Sequence, residues 1–82
     1  MTKTELFSHS FDMASTSESK MVKYYNMGHM HGMIDAYFDL PDWVDSEHFT
    51  EFLLRANLNP FKTSLELCLA EYETYEAELF MD

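Results

Sequence analysis

The C-terminal stretch from Asn59 to Asp82 constrains the fold most, because its apolar residues recur with helical spacing. Successive apolar positions lie four, three, four, three and four residues apart, at Phe61, Leu65, Cys68, Tyr72, Tyr75 and Leu79. This spacing places all of them on one side of an α-helix. Asn59 is a favourable N-cap, and Pro60 suits the first helical position. The stretch therefore predicts an amphipathic helix over about 60–80 whose apolar side packs against the rest of the chain.

A longer helix is predicted over about 15–39. Ser15 and Glu18 have the spacing of a capping box, and Pro41 ends the helix because the residue before a proline disfavours the α conformation. The inward side is expected to consist of Tyr24, Met27, Met30, Ile34, Tyr37 and Phe38. Gly28 and Gly32 each cost about 1 kcal/mol relative to alanine within a helix. We therefore expect another helix to approach closely there; a locally weak or kinked helix is the alternative.

A third helix is predicted over 46–57, with Asp45 as its N-cap. Its inward side is expected to consist of Phe49, Phe52, Leu53 and Ala56. Asn57 and Asn59 are both suited to the left-handed residue that often ends a helix. The sequence therefore predicts a short helix that ends in an asparagine.

The first fourteen residues have weak apolar periodicity and are expected to form a short helix or an arm. The sequence contains no strand-like alternation and no glycine-rich phosphate loop. We therefore predict an all-α fold, a small helical bundle with three main helices over about 15–39, 46–57 and 60–80. A chain of 82 residues is expected to form a single domain over 1–82.

The charge of the chain is strongly negative and unevenly placed. Fifteen acidic residues oppose five basic ones, for a net charge of −10, and all of it arises after residue 23. Such a charge excludes ordinary binding to nucleic acid or to an anionic membrane, since both require a basic surface. No apolar run approaches the roughly 20 residues of a membrane span, and no signal-peptide segment is recognisable. With a single cysteine, we expect a cytoplasmic protein.

The acidic residues after residue 23 form two blocks, the first over 35–51 and the second over 66–82, and both are candidates for a binding surface. One interpretation is a solvated face that keeps the protein soluble. The other is an imitation of the phosphates of nucleic acid, which would bind a basic nucleic-acid-binding protein or a nuclease complex; we favour it because so many like charges repel one another. Trp43 adds an aromatic anchor. The candidate partner-binding residues are Asp35, Asp39, Asp42, Trp43, Asp45, Glu47, Glu51, Glu66, Glu71, Glu73, Glu76 and Glu78.

The most concrete form of this hypothesis is a phage or mobile-element inhibitor of a host defence nuclease, either anti-CRISPR or anti-restriction. A monomer is favoured because equal acidic faces repel, with a homodimer as the alternative. No catalytic motif is recognisable, so we expect neither an enzyme nor a cofactor. Cys68 lies on the apolar stripe and is expected to be buried rather than nucleophilic. The stretch Met27 to Met33, rich in methionine and histidine, leaves copper binding as a further alternative.

Several short motifs follow one another between residues 24 and 76. They are Gly28-His29-Met30-His31-Gly32-Met33-Ile34-Asp35-Ala36, then Pro41 and Val44, then Phe49, then Asn59-Pro60, and finally Leu65, Leu69 and Tyr72. In this order they resemble the small helical immunity proteins of type VI secretion, a Rap/Tai-type group with an HdeA-like fold. The resemblance implies a helical topology and an immunity-type or chaperone-like protein that binds another protein. Members of that group are usually exported and carry a disulfide, whereas Asn26 stands here where their first cysteine is expected.

Overall fold

The computed structural model describes residues 1–79, which form four α-helices and no strand. The helices are α1 (Lys3–Thr16), α2 (Lys20–Tyr37), α3 (Ser46–Ala56) and α4 (Leu65–Leu79). The predicted all-α class is confirmed, and the N-terminal helix that was expected only as a short helix or an arm is present. Among residues 1–79, no helix combines the length and the apolar character that a membrane crossing requires.

Helix α1 begins at a capping box that the sequence analysis did not select. The Glu5 amide donates to the Thr2 hydroxyl at 3.2 Å, and the Thr2 amide donates to the Glu5 carboxylate at 3.2 Å. The capping box predicted at Ser15 is wrong, because Ser15 lies within α1 and its hydroxyl donates to the carbonyl of Asp12 at 3.2 Å. The buried side of α1 consists of Phe7, Ser10, Phe11 and Ala14. These residues pack along α2, and α1 and α2 form the most extensively packed pair of helices.

Helix α2 begins after Ser19, whose hydroxyl accepts from the Val22 amide at 3.4 Å, and it ends two residues earlier than predicted. Its buried residues are Asn26, Met30 and Ile34. Tyr24 and Tyr37 were predicted to face inward, but they are 63% and 53% exposed. The expected close approach of another helix at Gly28 and Gly32 is also wrong, since a Cβ added at either position would have no neighbour within 4 Å.

Helix α3 agrees closely with its prediction. The Asp45 carboxylate caps it by accepting from the amides of Glu47 at 3.0 Å and His48 at 3.3 Å. Asn57 ends the helix in the left-handed conformation, with φ 55° and ψ 45°. Phe49, Phe52 and Leu53 are buried as expected, together with Thr50. Ala56, however, was predicted to face inward and is exposed.

Helix α4 begins five residues later than predicted. The Asn59 side chain accepts from the Phe61 amide at 2.9 Å, so Asn59 forms a turn instead of a helix cap. The Ser64 hydroxyl then accepts from the Leu67 amide at 3.1 Å and starts the helix. Of the predicted stripe, Cys68 and Tyr72 are fully buried, Phe61, Leu65 and Tyr75 are partly buried, and Leu79 is 57% exposed. The predicted end at residue 80 and the last acidic residue, Asp82, lie outside the described residues.

Two groups of aromatic rings hold the helices together. The Phe61 cluster comprises Phe7, Tyr37, Phe38 and Phe61, with the Phe61 ring centroid 4.7 Å from that of Phe7 and 4.8 Å from that of Phe38. It joins α1, the end of α2 and the turn before α4. The Tyr72 cluster comprises Trp43, Phe49, Phe52, Tyr72 and Tyr75. It joins the α2–α3 connection, α3 and α4.

Candidate protein-binding surface

The exposed side of α3 forms an acidic ridge between two grooves. Glu47 and Glu51 lie four residues apart, which places both carboxylates on the same side of the helix. The α2–α3 groove has a volume of about 260 Å³ and is lined by Tyr24, Met27, Gly28, His31, Glu47, Thr50 and Glu51. The α3–α4 groove has a volume of about 120 Å³ and is lined by His48, Glu51, Phe52, Arg55, Tyr72, Tyr75, Glu76 and Leu79. Glu51 therefore borders both grooves.

The α3–α4 groove brings together residues of both acidic blocks. Glu51 belongs to the first block and Glu76 to the second, and they lie on the two helices that form the walls. Glu76 is half-buried, whereas Glu51 is exposed. The packing of α4 on α3 through Tyr72 produces this juxtaposition, since Tyr72 contacts Phe49 and Phe52 with centroid distances of 5.2 and 5.4 Å. The groove can therefore present two carboxylates to one ligand.

Two charge pairs involve this region within residues 1–79. Arg55 Nη2 lies 4.0 Å from Glu51 Oε1, with both side chains largely in solvent. His31 Nε2 lies 3.3 Å from Asp35 Oδ2 and 2.6 Å from the Ser46 hydroxyl, so it links α2 to the start of α3. The other carboxylates of the described chain have no basic side chain within ion-pair distance. Most of the negative charge is therefore left to solvent or to a partner.

The hydroxyl of Tyr72 lies buried within the same cluster, and it makes no well-formed hydrogen bond within residues 1–79, although the Glu76 carboxylate is close enough to accept a weak one. The whole residue is only 1% exposed. Burial raises the pKa of Tyr72 most, and the Glu76 carboxylate raises it further, first as a hydrogen-bond acceptor and then through its charge, with a smaller contribution from Asp45. The hydroxyl thus remains protonated at neutral pH, with the negative charges of Glu76 and Asp45 nearby. Trp43 stacks on this ring with a centroid distance of 6.2 Å and an interplanar angle of 17° while remaining 50% exposed.

The predicted partner-binding residues are exposed, apart from the half-buried Glu76, but they do not form one surface. Residues two apart on an α-helix point about 200° from each other, so Glu71 and Glu73 lie on opposite sides of α4. Residues seven apart share an edge: Glu66 lies with Glu73, and Glu71 lies with Glu78. The second acidic block is therefore divided between two edges of α4, and only Glu76 borders a groove.

The residues of the first block have mixed roles. Asp39 and Asp42 lie exposed in the α2–α3 connection. Asp35 is paired with His31, and Asp45 is engaged as the cap of α3. Glu47 and Glu51 are the members of this block that border the grooves.

Of the lining residues, the sequence selected only Glu47, Glu51 and Glu76 as candidates for binding; the polar residues that it did not select include His48 and Arg55. They lie seven residues apart and therefore share one side of α3 with each other, and this spacing could have identified them as neighbours. Arg55 is significant because it already places a guanidinium group beside Glu51.

The stretch from Met27 to Met33 is divided between core and surface. Met30 is fully buried, and Met27 and Met33 pack partly against the core. His29 is exposed, with its ring 4.7 Å from that of Tyr25, whereas His31 contacts Ser46. Among the residues that the structure describes, no three His, Cys, Asp or Glu side chains are grouped for a metal. Copper binding by this stretch stays an untested alternative.

Cys68 is fully buried, as predicted. Burial raises the pKa of its thiol, and the Thr63 hydroxyl 3.7 Å away partly offsets this effect. A buried thiol with a raised pKa is a weak nucleophile. The structure therefore offers no reason to assign Cys68 to catalysis.

Comparisons of the chain with models of protein families, with curated proteins and with solved structures found no match. The resemblance to type VI secretion immunity proteins therefore stays a prediction. Function must be argued from the surface itself.

Proposed function

We propose that this chain is a non-enzymatic, acidic binding protein that occupies the nucleic-acid-binding surface of a basic partner protein and thereby excludes nucleic acid. The observation that carries this proposal is the set of exposed carboxylates that have no basic neighbour within residues 1–79. The α3 ridge and its two grooves form the centre of the proposed contact.

Most of the exposed carboxylates are not offset by basic side chains within residues 1–79. Like charges four residues apart on a helix, such as those of Glu47 and Glu51, destabilise it by about 0.2–0.5 kcal/mol. A basic partner would convert this repulsion into attraction. Solubility alone would be served by a net charge of roughly 2–8 in magnitude for a small domain. The chain exceeds that range, at −10.

The shape of the surface supports a contact with protein side chains. The α3 ridge presents carboxylates with a groove on each side, and Trp43 offers an exposed ring near one of them. Aromatic and arginine side chains are the residues that most often dominate binding energy at protein interfaces. The narrower proposal, that the partner is a nuclease complex of a bacterial defence system, is supported by the size and charge of the chain alone.

The experiment has two stages. The chain is first immobilised and exposed to nuclease-treated bacterial lysate at about 50 mM salt, and captured proteins are identified by mass spectrometry. The binding of each purified candidate to a labelled DNA duplex is then measured by fluorescence anisotropy, with increasing concentrations of the chain. We expect competition, and we expect association of the two proteins to slow steeply as salt rises, because screening weakens long-range attraction.

Two variants of equal charge locate the contact. Glu47→Gln, Glu51→Gln and Glu76→Gln together neutralise the carboxylates that border the grooves. Glu71→Gln, Glu73→Gln and Glu78→Gln together remove the same charge from the edges of α4. The first variant should lose most of its competition and the second should retain it. A partner that binds DNA and the chain at the same time would contradict the proposal, as would equal effects of the two variants.

A further inference from the structure

The outer side of α2 lacks the charged residues that a surface helix ordinarily carries. Between Lys23 and Asp35 the helix contains no Asp, Glu, Lys or Arg, whereas 24% of the whole chain is charged. A surface helix normally presents charged and polar residues to solvent, and a helix without them on any side is typical of a buried position. Yet α2 contacts the core with one side only, through Asn26, Met30 and Ile34. The middle of α2 thus has the composition of a helix that is covered on both sides.

The exposed residues of this outer side are apolar, aromatic or small, and we call Met21, Tyr24, Tyr25, Gly28 and Gly32 the α2 face. Met21 is 82% exposed, and both tyrosines are exposed as well. Gly28 lies seven residues after Met21 and therefore on the same side of the helix, with Gly32 one turn further along. The two glycines weaken the helix, and a Cβ added at either of them would meet nothing within 4 Å. Another backbone could therefore approach α2 closely at this face.

The ends of α2 carry charges in the order that is least favourable for an isolated helix. Lys20 and Lys23 lie in the first turn, where the helix dipole favours acidic residues. Asp35 lies in the last turn, where the dipole favours basic residues. This order becomes favourable when a second α2 lies antiparallel to the first, because each basic end then adjoins the acidic end of the other helix.

Gly28 lies at the middle of α2, and its position fits such an antiparallel pair. Lys20 is eight residues before Gly28 and Asp35 is seven residues after it, or about 12 and 10 Å along the helix axis. Two helices that cross at Gly28 therefore bring Lys20 of one copy level with Asp35 of the other. Viewed along the axis, Lys20 and Asp35 lie about 80° and 20° to the same side of Gly28, so they also meet on the same flank of the contact.

We propose that the α2 face is the contact between two copies of this chain, which pair antiparallel about a two-fold axis at Gly28, with Lys20 of each copy beside Asp35 of the other. A two-fold axis repeats every contact, so the dimer contains this ion pair twice. The inference goes beyond the proposed function, since it concerns a face other than the acidic ridge. Tyr24 and Gly28 also line the α2–α3 groove, so the second copy would narrow that groove and leave the α3–α4 groove open.

The negative charge of the chain opposes this contact less than it opposes any contact through α3 or α4. The monomer that the sequence favours rests on repulsion between equal acidic faces, and the α2 face is not one of them. The one acidic residue of α2 is Asp35, which is 54% exposed and would lie beside a lysine. At about 0.15 M salt, exposed charges more than about 8 Å apart are largely screened, so charges in contact attract while the distant ridges repel weakly.

The test is sedimentation equilibrium of the full chain at about 0.15 M salt, over protein concentrations from about 1 µM to 1 mM. We expect the mass to rise from 9.7 kDa towards twice that value as the concentration increases. Circular dichroism at low concentration verifies that each variant is folded.

A pair of variants of similar bulk locates the contact. Gly28→Leu adds a side chain where the two copies meet, and it should raise the dissociation constant of the dimer by at least about tenfold. The single chain tolerates this change, because the space at Gly28 is open and leucine favours a helix more than glycine does. Ala70→Leu adds a similar bulk on the exposed side of α4 and should change the dissociation constant less than about twofold.

Charge substitutions test the antiparallel order. Asp35→Lys makes each copy two charges less negative, so general repulsion alone would predict tighter pairing. We expect instead that the dissociation constant rises about fivefold or more, because two lysines then oppose each other at both ends of the contact. Lys20→Glu should weaken pairing in the same way. Lys20→Glu and Asp35→Lys together restore opposite charges at the net charge of the parent chain, and the double variant should recover most of the affinity.

Several outcomes would overturn this inference. A parent chain that stays monomeric at all concentrations is one, and a dimer that Gly28→Leu leaves intact is another. Disruption by Ala70→Leu would place the contact on a different face, and tighter pairing of Asp35→Lys would reduce the effect to general charge. A parallel pair would bring like ends together, so a double variant no tighter than either single variant would exclude the antiparallel order.

Discussion

The Phe61 cluster and the Tyr72 cluster perform the same structural task with different chemistry. The Phe61 cluster joins α1, the end of α2 and the turn before α4, and its central rings are phenylalanines. The Tyr72 cluster joins α3 to α4, and it encloses a hydroxyl group without a well-formed hydrogen bond in the described chain. Carboxylates surround the second cluster.

This difference indicates that the two clusters have been shaped by different requirements. A cluster of hydrocarbon rings is what stability alone favours, because it buries apolar area and leaves no polar group unsatisfied. The Tyr72 cluster instead contains a buried hydroxyl, and it does so where it borders the candidate site. Natural proteins depart from ideal packing mainly at functional or strained sites. The comparison can be tested by substitutions that exchange the properties of the two clusters.

The largest expected effect comes from removing a ring of the Phe61 cluster. Phe7 is fully buried, so Phe7→Ala should reduce the free energy of unfolding by about 3–5 kcal/mol through lost burial and a residual cavity. Leu6→Ala is the control, since Leu6 is 47% exposed and its truncation should change stability by about 0.5 kcal/mol. Urea denaturation would measure both. Equal midpoints for the two variants would show that Phe7 is not part of the core.

A smaller effect should follow from exchanging the hydroxyl between the clusters. Phe7→Tyr adds a buried hydroxyl to the Phe61 cluster and should cost about 1–3 kcal/mol. Tyr72→Phe removes one from the Tyr72 cluster and should leave stability unchanged or raise it by about 1 kcal/mol. The same denaturation experiment compares the two variants. A marked loss of stability in Tyr72→Phe would mean that the hydroxyl has a structural partner, and the contrast between the clusters would disappear.

The smallest effect concerns alkaline pH. The pKa of Tyr72 is raised by burial above its ordinary value of 10.0, so above that pH the unfolded chain binds fewer protons at this residue than the folded chain. Stability should therefore fall as pH rises past 10, by at most about 1.4 kcal/mol per pH unit from this group.

Tyr72→Phe should lose less unfolding free energy above pH 10 than the parent chain, because the titrating group has been removed. Tyr25→Phe removes an exposed hydroxyl, so its loss should equal that of the parent chain. Urea denaturation at pH 9 and at pH 11 measures the difference. Parallel losses in both variants would assign the alkaline effect to other groups, among them Cys68, whose pKa is also raised by burial.

Local patterns in the sequence predicted α3 well because its signals agree with one another. Asp45 caps the helix, Asn57 ends it, and the apolar residues between them follow one stripe. The buried positions Cys68 and Tyr72 were predicted on the same basis. Where the N-cap, the spacing of apolar residues and the residue that ends the helix all indicate the same segment, tertiary contacts rarely alter the bounds of the helix.

The start of α4 could not be predicted from local signals. Asn59 has the properties of a helix cap, but its amide donates to Ser8 of α1 at 3.1 Å, a contact across more than fifty residues. Ser64 is an equally suitable cap, and the sequence does not show which of the two is used. The capping boxes at Thr2 and Ser15 present the same ambiguity, which the packing of α1 along α2 resolves.

The candidate site was predicted in part. Charge alone indicated which residues are exposed, since carboxylates are rarely buried without a partner. It did not indicate that Glu51 and Glu76 border one groove, because this depends on how α4 packs on α3. The unpartnered state of the Tyr72 hydroxyl is likewise a property of packing and has no counterpart in the sequence.

The position of Cys68 has a consequence for observing the motion of α4. It is the one cysteine in the sequence, it is fully buried, and it lies one turn before Tyr72. A thiol reagent can modify it only when α4 separates from the core, so the rate of modification reports how often that opening occurs. The chain thus contains an intrinsic kinetic probe of the helix that forms one wall of the groove, without the need for an introduced label.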